Sequence, residues 1–346
     1  MTPEAFRLFR ALADGRPLNG MHYAEEAGIS RSAVWKQVEQ LRQAGLPVAA
    51  VRGSGYCLAW PIRLLDAGEI QQAANSPGVT VEIVERTDST NRDLTERFVH
   101  RRARAAEYQS RGRGRRGRGW ISPPGCGAYF SFGFRFECGL QRLGALSLVA
   151  GVVAAETVAE QGVPVALKWP NDLVVDGAKL GGLLVEIRGA SDGPCEVVAG
   201  VGINVRLPRG ETESCGFSPP DQPWTDLHAA ASGGQNPHSD PCFDRHIDRH
   251  IDRHIDSNCN RSQLIGRLAG ALDRAFGQFE RDGFEPFMPR WRALDALDGR
   301  EIRVTFGDGS VLEGVAAGVD GQGQLRVRCN GDIRYVNAGE VSVRAH

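Results

Sequence analysis

Between Arg111 and Gly119 the chain packs five arginines and four glycines into nine positions; Trp120 follows, and Pro123-Pro124 come soon after. A buried strand is closed to this stretch, because its guanidinium groups would leave water without partners. A helix is closed as well, since glycine weakens a helix interior and adjacent prolines stop one. The flanking runs 104–108 and 129–136 have strand character. The segment must therefore be an internal loop held at both ends by a sheet.

Read literally, Gly112-x-Gly114-x-x-Gly117 satisfies G-x-G-x-x-G. A dinucleotide fingerprint, however, opens a helix, and this one runs into prolines. No Gly-Lys-Ser/Thr follows, which excludes a P-loop. An RNA-binding arginine–glycine segment stays open, although such segments are commonly terminal and long. The other reading is a lid over one small anionic ligand. Glycines admit close backbone approach, and arginines meet phosphate with forked donors. Empty, such a loop repels itself and is costly to order, so closure is expected to follow the ligand. That behaviour suits chemistry through a water-sensitive phosphorylated intermediate.

Residues 1–62 read as a winged helix-turn-helix domain. Phe6, Leu8, Phe9 and Leu12 recur at helical spacing, and 23–27 is a second, short helix. Ser30 can cap a third helix with Val34, Val38 and Leu41 on its apolar face; 48–51 and 56–58 then form a hairpin. Such a unit can lay its last helix in a DNA major groove, with Arg31, Ser32, Lys36 and Gln37 as the candidate contacts. Residues 1–60 hold seven basic against five acidic side chains. That surplus is weak, so a dimerisation or regulatory module with solvated helix residues is the alternative.

A linking helix is expected within 63–80. From 81 to 292, strand-like runs at 129–136, 173–175, 183–187 and 197–201 accompany an alanine-rich helix at 143–161 and an amphipathic one at 264–279. This is the mixture of a central α/β domain on one sheet. Short strands between 301 and 344, separated by Gly-Asp-Gly-Ser, Asp-Gly-Gln-Gly and Asn-Gly-Asp, predict an SH3-like β-barrel over 297–346. The whole is of class α+β. Residues 206–262 form an atypical insertion in which Asp244-Arg-His-Ile recurs at 248 and 252. On a helix His246, His250 and His254 would share a stripe fit for a metal, but we read the repeat as a solvated low-complexity segment without chemistry.

The net charge of −1 excludes a globally basic nucleic-acid binder. Eight scattered cysteines without a C-x-x-C pair, no secretory pattern after Met1 and no membrane-length apolar run lead us to expect a cytoplasmic protein with reduced thiols.

Five motifs in order carry a resemblance: Ser89-Thr90-Asn91, the segment 109–120, Lys-Trp-Pro-Asn-Asp-Leu at 168–173, Lys-Leu-Gly-Gly-Leu-Leu-Val-Glu at 179–186, and Gly-Val-Gly-Ile-Asn at 200–204. Together they resemble the biotin protein ligases. The leading helix-turn-helix and trailing barrel resemble the bifunctional bacterial branch, which also represses the biotin operon. The likeness covers nearly the whole chain outside 206–262, where only Trp224 can be placed. It implies a biotin/lipoate ligase-like central fold and a two-step reaction with ATP, biotin and Mg²⁺. Biotin is activated to biotinyl-AMP with release of pyrophosphate. It is then transferred to a lysine of the biotin carboxyl carrier protein of acetyl-CoA carboxylase. The implied partners are that carrier, operator DNA and a second copy of the chain, in a homodimer favoured by biotinyl-AMP.

By that resemblance Ser89, Thr90 and Gln109, with Asn91 beside them, face the ureido ring of biotin; for Asp88-Ser89-Thr90 alone a helix N-cap is the competing reading. Arg113, Gly114 and Arg115 close over biotin, and Arg116 and Arg118 support closure or contact phosphate. Trp120 either walls the pocket or belongs to the core. Lys179 touches the biotin carboxylate and the α-phosphate, screening two anions as they approach. Gly182 lets the backbone come close. Lys168 contacts phosphate, and Asp172 holds Mg²⁺ or orients the acceptor lysine. Asn204 and Trp224 lie near adenine, while Trp169 and Pro170 pack. Lys179, Arg115 and Asp172 are thus the catalytic candidates. A biotin-sensing transcription factor without catalysis and a lipoate ligase are the alternative functions.

Overall fold

The computed structural model describes residues 1–208, 222–232, 259–339 and 341–345. The Asp-Arg-His-Ile repeats lie outside these residues. In the head, Thr2, Asn19 and Ser30 cap α1 (Pro3–Leu12), α2 (Gly20–Glu26) and α3 (Arg31–Gln43), each side chain accepting from a first-turn N–H. The wing is a hairpin of β1 (Val48–Val51) and β2 (Gly55–Leu58). Phe6, Phe9, Leu12, Val34, Val38 and Leu41 fill its core, as their spacing predicts.

The link is shorter than expected: α4 (Ala67–Ala74), capped by Asp66. Next come β3 (Thr80–Thr87), α5 (Thr90–Glu96) and β4 (Arg102–Gln109). The arginine–glycine segment follows as a minimal ribbon, β5 (Gly112–Arg113) against β6 (Gly119–Trp120), closed by a single 3-10 turn. The remaining elements are β7 (Gly127–Phe136), α6 (Leu146–Ala159), β8 (Ala166–Lys168), β9 (Asp172–Val175), β10 (Ala178–Gly189), β11 (Cys195–Asn204), α7 (Leu227–Ala231), α8 (Arg261–Asp282) and α9 (Met288–Leu294).

One sheet organises the centre, in the order β3-β4-β7-β11-β10-β9-β8. It is mixed: β3 and β4 run parallel and the other neighbours antiparallel. Because successive strand residues face opposite sides, Phe132, Phe134 and Phe136 pack on Phe276 of α8 while Ser131 points the other way. Helix α6 is buried on nearly every side, consistent with its lack of a polar face.

The C-terminal unit is an antiparallel sheet of β12 (Glu301–Phe306), β13 (Val311–Val319), β14 (Leu325–Cys329), β15 (Asp332–Val336) and β16 (Val341–Ala345), ordered β15-β14-β13-β12-β16. The architecture is α+β with a winged helix-turn-helix, a mixed central sheet and an SH3-like terminal unit. The units are packed together. Ile302, Val304 and Val327 join the central apolar core, and Trp169 Nε1 donates to Gly323 O at 3.1 Å. On the other side, Cys126 and Leu207 belong to the head's core. Gly125 lies so close that a Cβ there would stand 2.4 Å from Ile62 and 3.2 Å from Phe9. A buried ion pair, Arg261–Glu107 at 2.9 Å, staples the link to β4: Glu107 also accepts from Leu65 N, and Arg261 donates to Arg63 O at 2.6 Å.

Candidate active site

Helix α5 starts over the middle of the sheet, and Ser89 is its N-cap, accepting from Arg92 N at 3.5 Å. The capping reading therefore holds, and Ser89 lines the main cleft as well. Thr90 and Asn91 are buried in the first turn, where Thr90 meets Gln109 at the end of β4. Gln109 Oε1 accepts from Thr90 N at 2.9 Å, and its Nε2 donates to Ser122 Oγ at 2.9 Å. Ser131 Oγ lies 2.9 Å from both Thr90 Oγ1 and Asn91 Oδ1, and Asn91 Nδ2 donates to Glu186 Oε2 at 2.6 Å. This is a continuous row of buried amides and hydroxyls. Sequence reasoning missed Ser122, Ser131 and Glu186; a lone serine inside the apolar run 129–136 is the signal that pointed to one of them.

The glycines of the 200–204 motif support this row. A Cβ on Gly200 would stand 2.5 Å from Asn91 Oδ1, and one on Gly202 2.6 Å from the Trp120 ring, so β11 must be bare there. Trp120 lies across β11 at the cleft wall; its Nε1 is buried without a protein partner, and Lys179 Nζ sits 5.6 Å from its ring centroid.

The arginine–glycine ribbon spans the cleft. Arg113 pairs with Glu186 at 2.9 Å. Arg115, half-buried, donates to Gly339 O of the C-terminal unit at 2.8 Å and to Asn171 Oδ1 at 3.4 Å, and its burial lowers its pKa. Arg116 takes a left-handed conformation, φ 58°, in the closing turn. Arg116, Gly117 and Arg118 are exposed at the tip. Gly114, Arg116 and Arg118 all line the cleft.

Lys179 and Asp172 come together from β10 and β9. A bulge between Lys179 and Gly181 re-aims β10: Leu180 enters the core while Lys179 Nζ reaches Asp172 Oδ1 at 2.6 Å. Gly182 lies directly opposite Asp172. Lys168 pairs with Asp172 in register on β8; its pKa is lowered, chiefly by burial, with Asp172 opposing and Lys179 and Arg344 adding to the shift. Trp169 is buried, in keeping with packing. Asn171, unassigned by sequence reasoning, donates to Leu183 O at 2.7 Å and accepts from Arg115.

Trp224 and Asn204 share one arrangement. The segment around Trp224 bridges Lys179: Lys179 N donates to Pro223 O and Thr225 N to Lys179 O, both at 2.9 Å. Asn204 Nδ2 holds Thr225 O at 2.9 Å, so this buried side chain positions the segment that carries Trp224.

Most of these residues line one cleft of about 840 Å³. Among the described residues that line it, eight are lysines or arginines and one, Asp172, is a carboxylate. Arg300 and Arg344 of the C-terminal unit are among them, and no sequence signal distinguished them from other surface arginines. A neutral hydrogen-bonding row and a set of cationic side chains, Lys179 among them, thus share one cleft. Such a cavity can bind a polar ring, steady a polyanion and bring a carboxylate against a phosphate.

On the head, Arg31, Ser32 and Lys36 are exposed on α3. Gln37 is not. It is buried on the face shared with Val34 and Val38, and its Oε1 has no partner, which argues against the expected contact with DNA. Trp35, 54% exposed, occupies the outer face instead.

Residues 83–204 match the biotin/lipoate A/B protein ligase family, 299–344 the biotin protein ligase C-terminal domain, and 6–57 a helix-turn-helix domain. The chain is 36% identical over 342 residues to the bifunctional ligase/repressor BirA of Salmonella typhimurium, covering 98% of this chain and 97% of that protein. It is 35% identical to the protein of the same name from Escherichia coli, again over 98% and 97%. In fold it is similar to a biotin protein ligase from Aquifex aeolicus solved with biotin and ATP, with a TM-score of 0.59, 24% identity, and coverage of 77% of this chain and 99% of that one. The chain belongs to the biotin/lipoate A/B protein ligase family, in its bifunctional ligase/repressor branch.

Proposed function

We propose that this protein is an ATP-dependent biotin protein ligase that also acts as a biotin-operon repressor. One observation carries the ligase reading: the buried amide–hydroxyl row, the cationic side chains with Lys179 among them, and the arginine–glycine ribbon line one cleft. Biotin's ureido ring is assigned to the row of Ser89, Thr90, Asn91 and Gln109, where unpaired polar groups would penalise a ring unable to answer them. Its carboxylate comes to Lys179 and attacks the α-phosphorus of ATP; the phosphoanhydride bond breaks and pyrophosphate leaves. Arg113, Gly114 and Arg115 keep water from the mixed anhydride. A carrier lysine amine then attacks the acyl carbon, the amide forms and AMP departs.

Arg116, Arg118 and Lys168 are assigned to phosphates, and Asn204 and Trp224 to the adenine side. Among the described residues no cluster of three or more metal-ligating side chains occurs. Mg²⁺ needs only one or two carboxylates when phosphates supply further oxygens, and Asp172 meets that requirement. Bound there, Mg²⁺ would neutralise phosphate charge. The acceptor is the biotin carboxyl carrier protein of acetyl-CoA carboxylase. A biotinyl-AMP-favoured homodimer presents two heads, read by Arg31, Ser32 and Lys36, to operator DNA in the cytoplasm. We divide the chain into a head at 1–62, a link at 63–80, a catalytic domain at 81–292 and a terminal domain at 297–346.

The test is pyrophosphate release that requires both biotin and ATP, followed by label on the carrier lysine. Release without biotin, or none with it, overturns the ligase reading. Sedimentation that is equal with and without biotinyl-AMP removes the link to dimerisation.

A further inference from the structure

Glu186 ends the 179–186 motif and touches both the polar row and the lid. Its carboxylate accepts from Asn91 Nδ2 at 2.6 Å and pairs with Arg113 at 2.9 Å. An ionised carboxylate can only accept. The other group beside Asn91 Nδ2, Leu184 O at 3.4 Å, can only accept too. The Asn91 nitrogen is thereby committed to β10, and Oδ1 is left facing Ser131, whose hydroxyl donates to it at 2.9 Å.

A serine hydroxyl has one proton. With that proton given to Asn91, the 2.9 Å contact between Thr90 Oγ1 and Ser131 Oγ has one donor left, the Thr90 hydroxyl. Donation from Thr90 to Gln109 Oε1 instead spans a longer 3.2 Å and would leave the Thr90–Ser131 contact without a proton. Thr90 and Asn91 therefore offer a ligand lone pairs only. Gln109 is set the opposite way: its Oε1 is held by the Thr90 backbone N–H, and Nε2 keeps one proton after donating to Ser122. Ser89 Oγ accepts from Arg92 N and keeps its own hydroxyl proton, so two acceptors answer the two N–H groups of a cyclic urea and two donors the two lone pairs of its carbonyl.

We propose that Glu186 is a positioning residue that sets the donor–acceptor polarity of the ring-binding end, acting through Asn91, Ser131 and Thr90. The proposal rests on the biotin reading above. Without the carboxylate only the longer 3.4 Å contact to Leu184 O holds the Asn91 nitrogen, so the amide can turn over, the two hydroxyls reverse, and protons confront the urea N–H groups.

The test is a double-mutant cycle on the full chain, read as biotin- and ATP-dependent pyrophosphate release. Glu186→Ala is expected to raise the KM for biotin about tenfold, the scale of one buried polar mismatch, while kcat and the KM for ATP stay near wild type. Glu186→Gln recovers part of the loss, since its carbonyl can still accept from Asn91. The Glu186 effect should vanish in an Asn91→Ala background and persist in Arg113→Ala. The opposite pattern, persistence without Asn91 and loss without Arg113, overturns the proposal and makes Glu186 an anchor of the lid alone. An unchanged KM for biotin overturns it as well. If Glu186→Ala lacks a thermal unfolding transition, the isosteric Glu186→Gln carries the same cycle. Wild-type protein that releases no pyrophosphate with biotin and ATP removes the biotin reading itself, before any variant is compared.

Discussion

Lys179 Nζ lies 2.6 Å from Asp172 Oδ1, and each side chain is about four-fifths shielded from solvent (21% and 19% exposed). The ammonium is therefore held in place before any anion arrives. Such preorganisation spares reorientation during reaction, and removing one preorganised charge of this kind costs about a hundred- to a thousandfold in rate. Lys179→Ala is expected to lower pyrophosphate release by that factor while the fold survives; release near the wild-type rate would rule out this role.

Arg115 joins the lid to the floor through Asn171 and to the C-terminal unit through Gly339. Charged hydrogen bonds contribute about 1.5–3 kcal/mol each, so Arg115→Gly should speed escape of the adenylate about tenfold or more. The expected sign is label on lysines of a bystander protein mixed with the variant, biotin and ATP. A bystander as clean as with the parent enzyme contradicts it.

Lys168 has a lowered pKa, mainly because it is buried. Its charge is lost at lower pH than that of an exposed lysine, so the KM for ATP should climb on the alkaline side. Lys168→Arg should move that rise to higher pH, because guanidinium keeps its proton. KM measured against pH for both proteins decides the matter.

Burial raises the Asp295 carboxyl to about 6, and its Oδ2 has no hydrogen-bond partner. A carboxyl with a folded-state pKa above its unfolded value favours the fold when protonated, and that contribution is lost as pH rises through the folded value. Asp295→Asn keeps the 2.9 Å bond from Leu297 N without acquiring charge. Its Tm should exceed that of the parent by a few degrees at pH 8, with the gap closing near pH 4.

For the head, Arg31→Ala and Lys36→Ala should each reduce the salt dependence of DNA binding by about one unit of slope. Gln37→Met should leave DNA affinity unchanged and stabilise the head, because it removes a buried oxygen without a partner. A loss of DNA affinity in Gln37→Met would restore the contact that its burial argues against.

Much of this was legible in the sequence where a local rule dominates. Helical spacing placed the head core, turn residues marked the terminal strands, and the glycine–arginine density required a loop. Boundaries were looser, as at α4, where the Asp66 cap rather than the apolar period decides the first turn. Gln37 is buried on the apolar face of α3, a placement that its polarity does not signal. Ser131, Asn171, Glu186, Arg300 and Arg344 escaped notice because each gains its meaning from a partner brought from another strand or unit.

The close seat of Gly125 under Phe9 and Ile62 makes the DNA-reading unit of this chain something other than a portable cassette. Any head transplanted from another regulator would need to reproduce the hollow into which that turn fits. By the same token, enlarging residue 125 would push on the start of the chain and on the strand beyond the lid at once, so operator reading and vitamin handling would be damaged together.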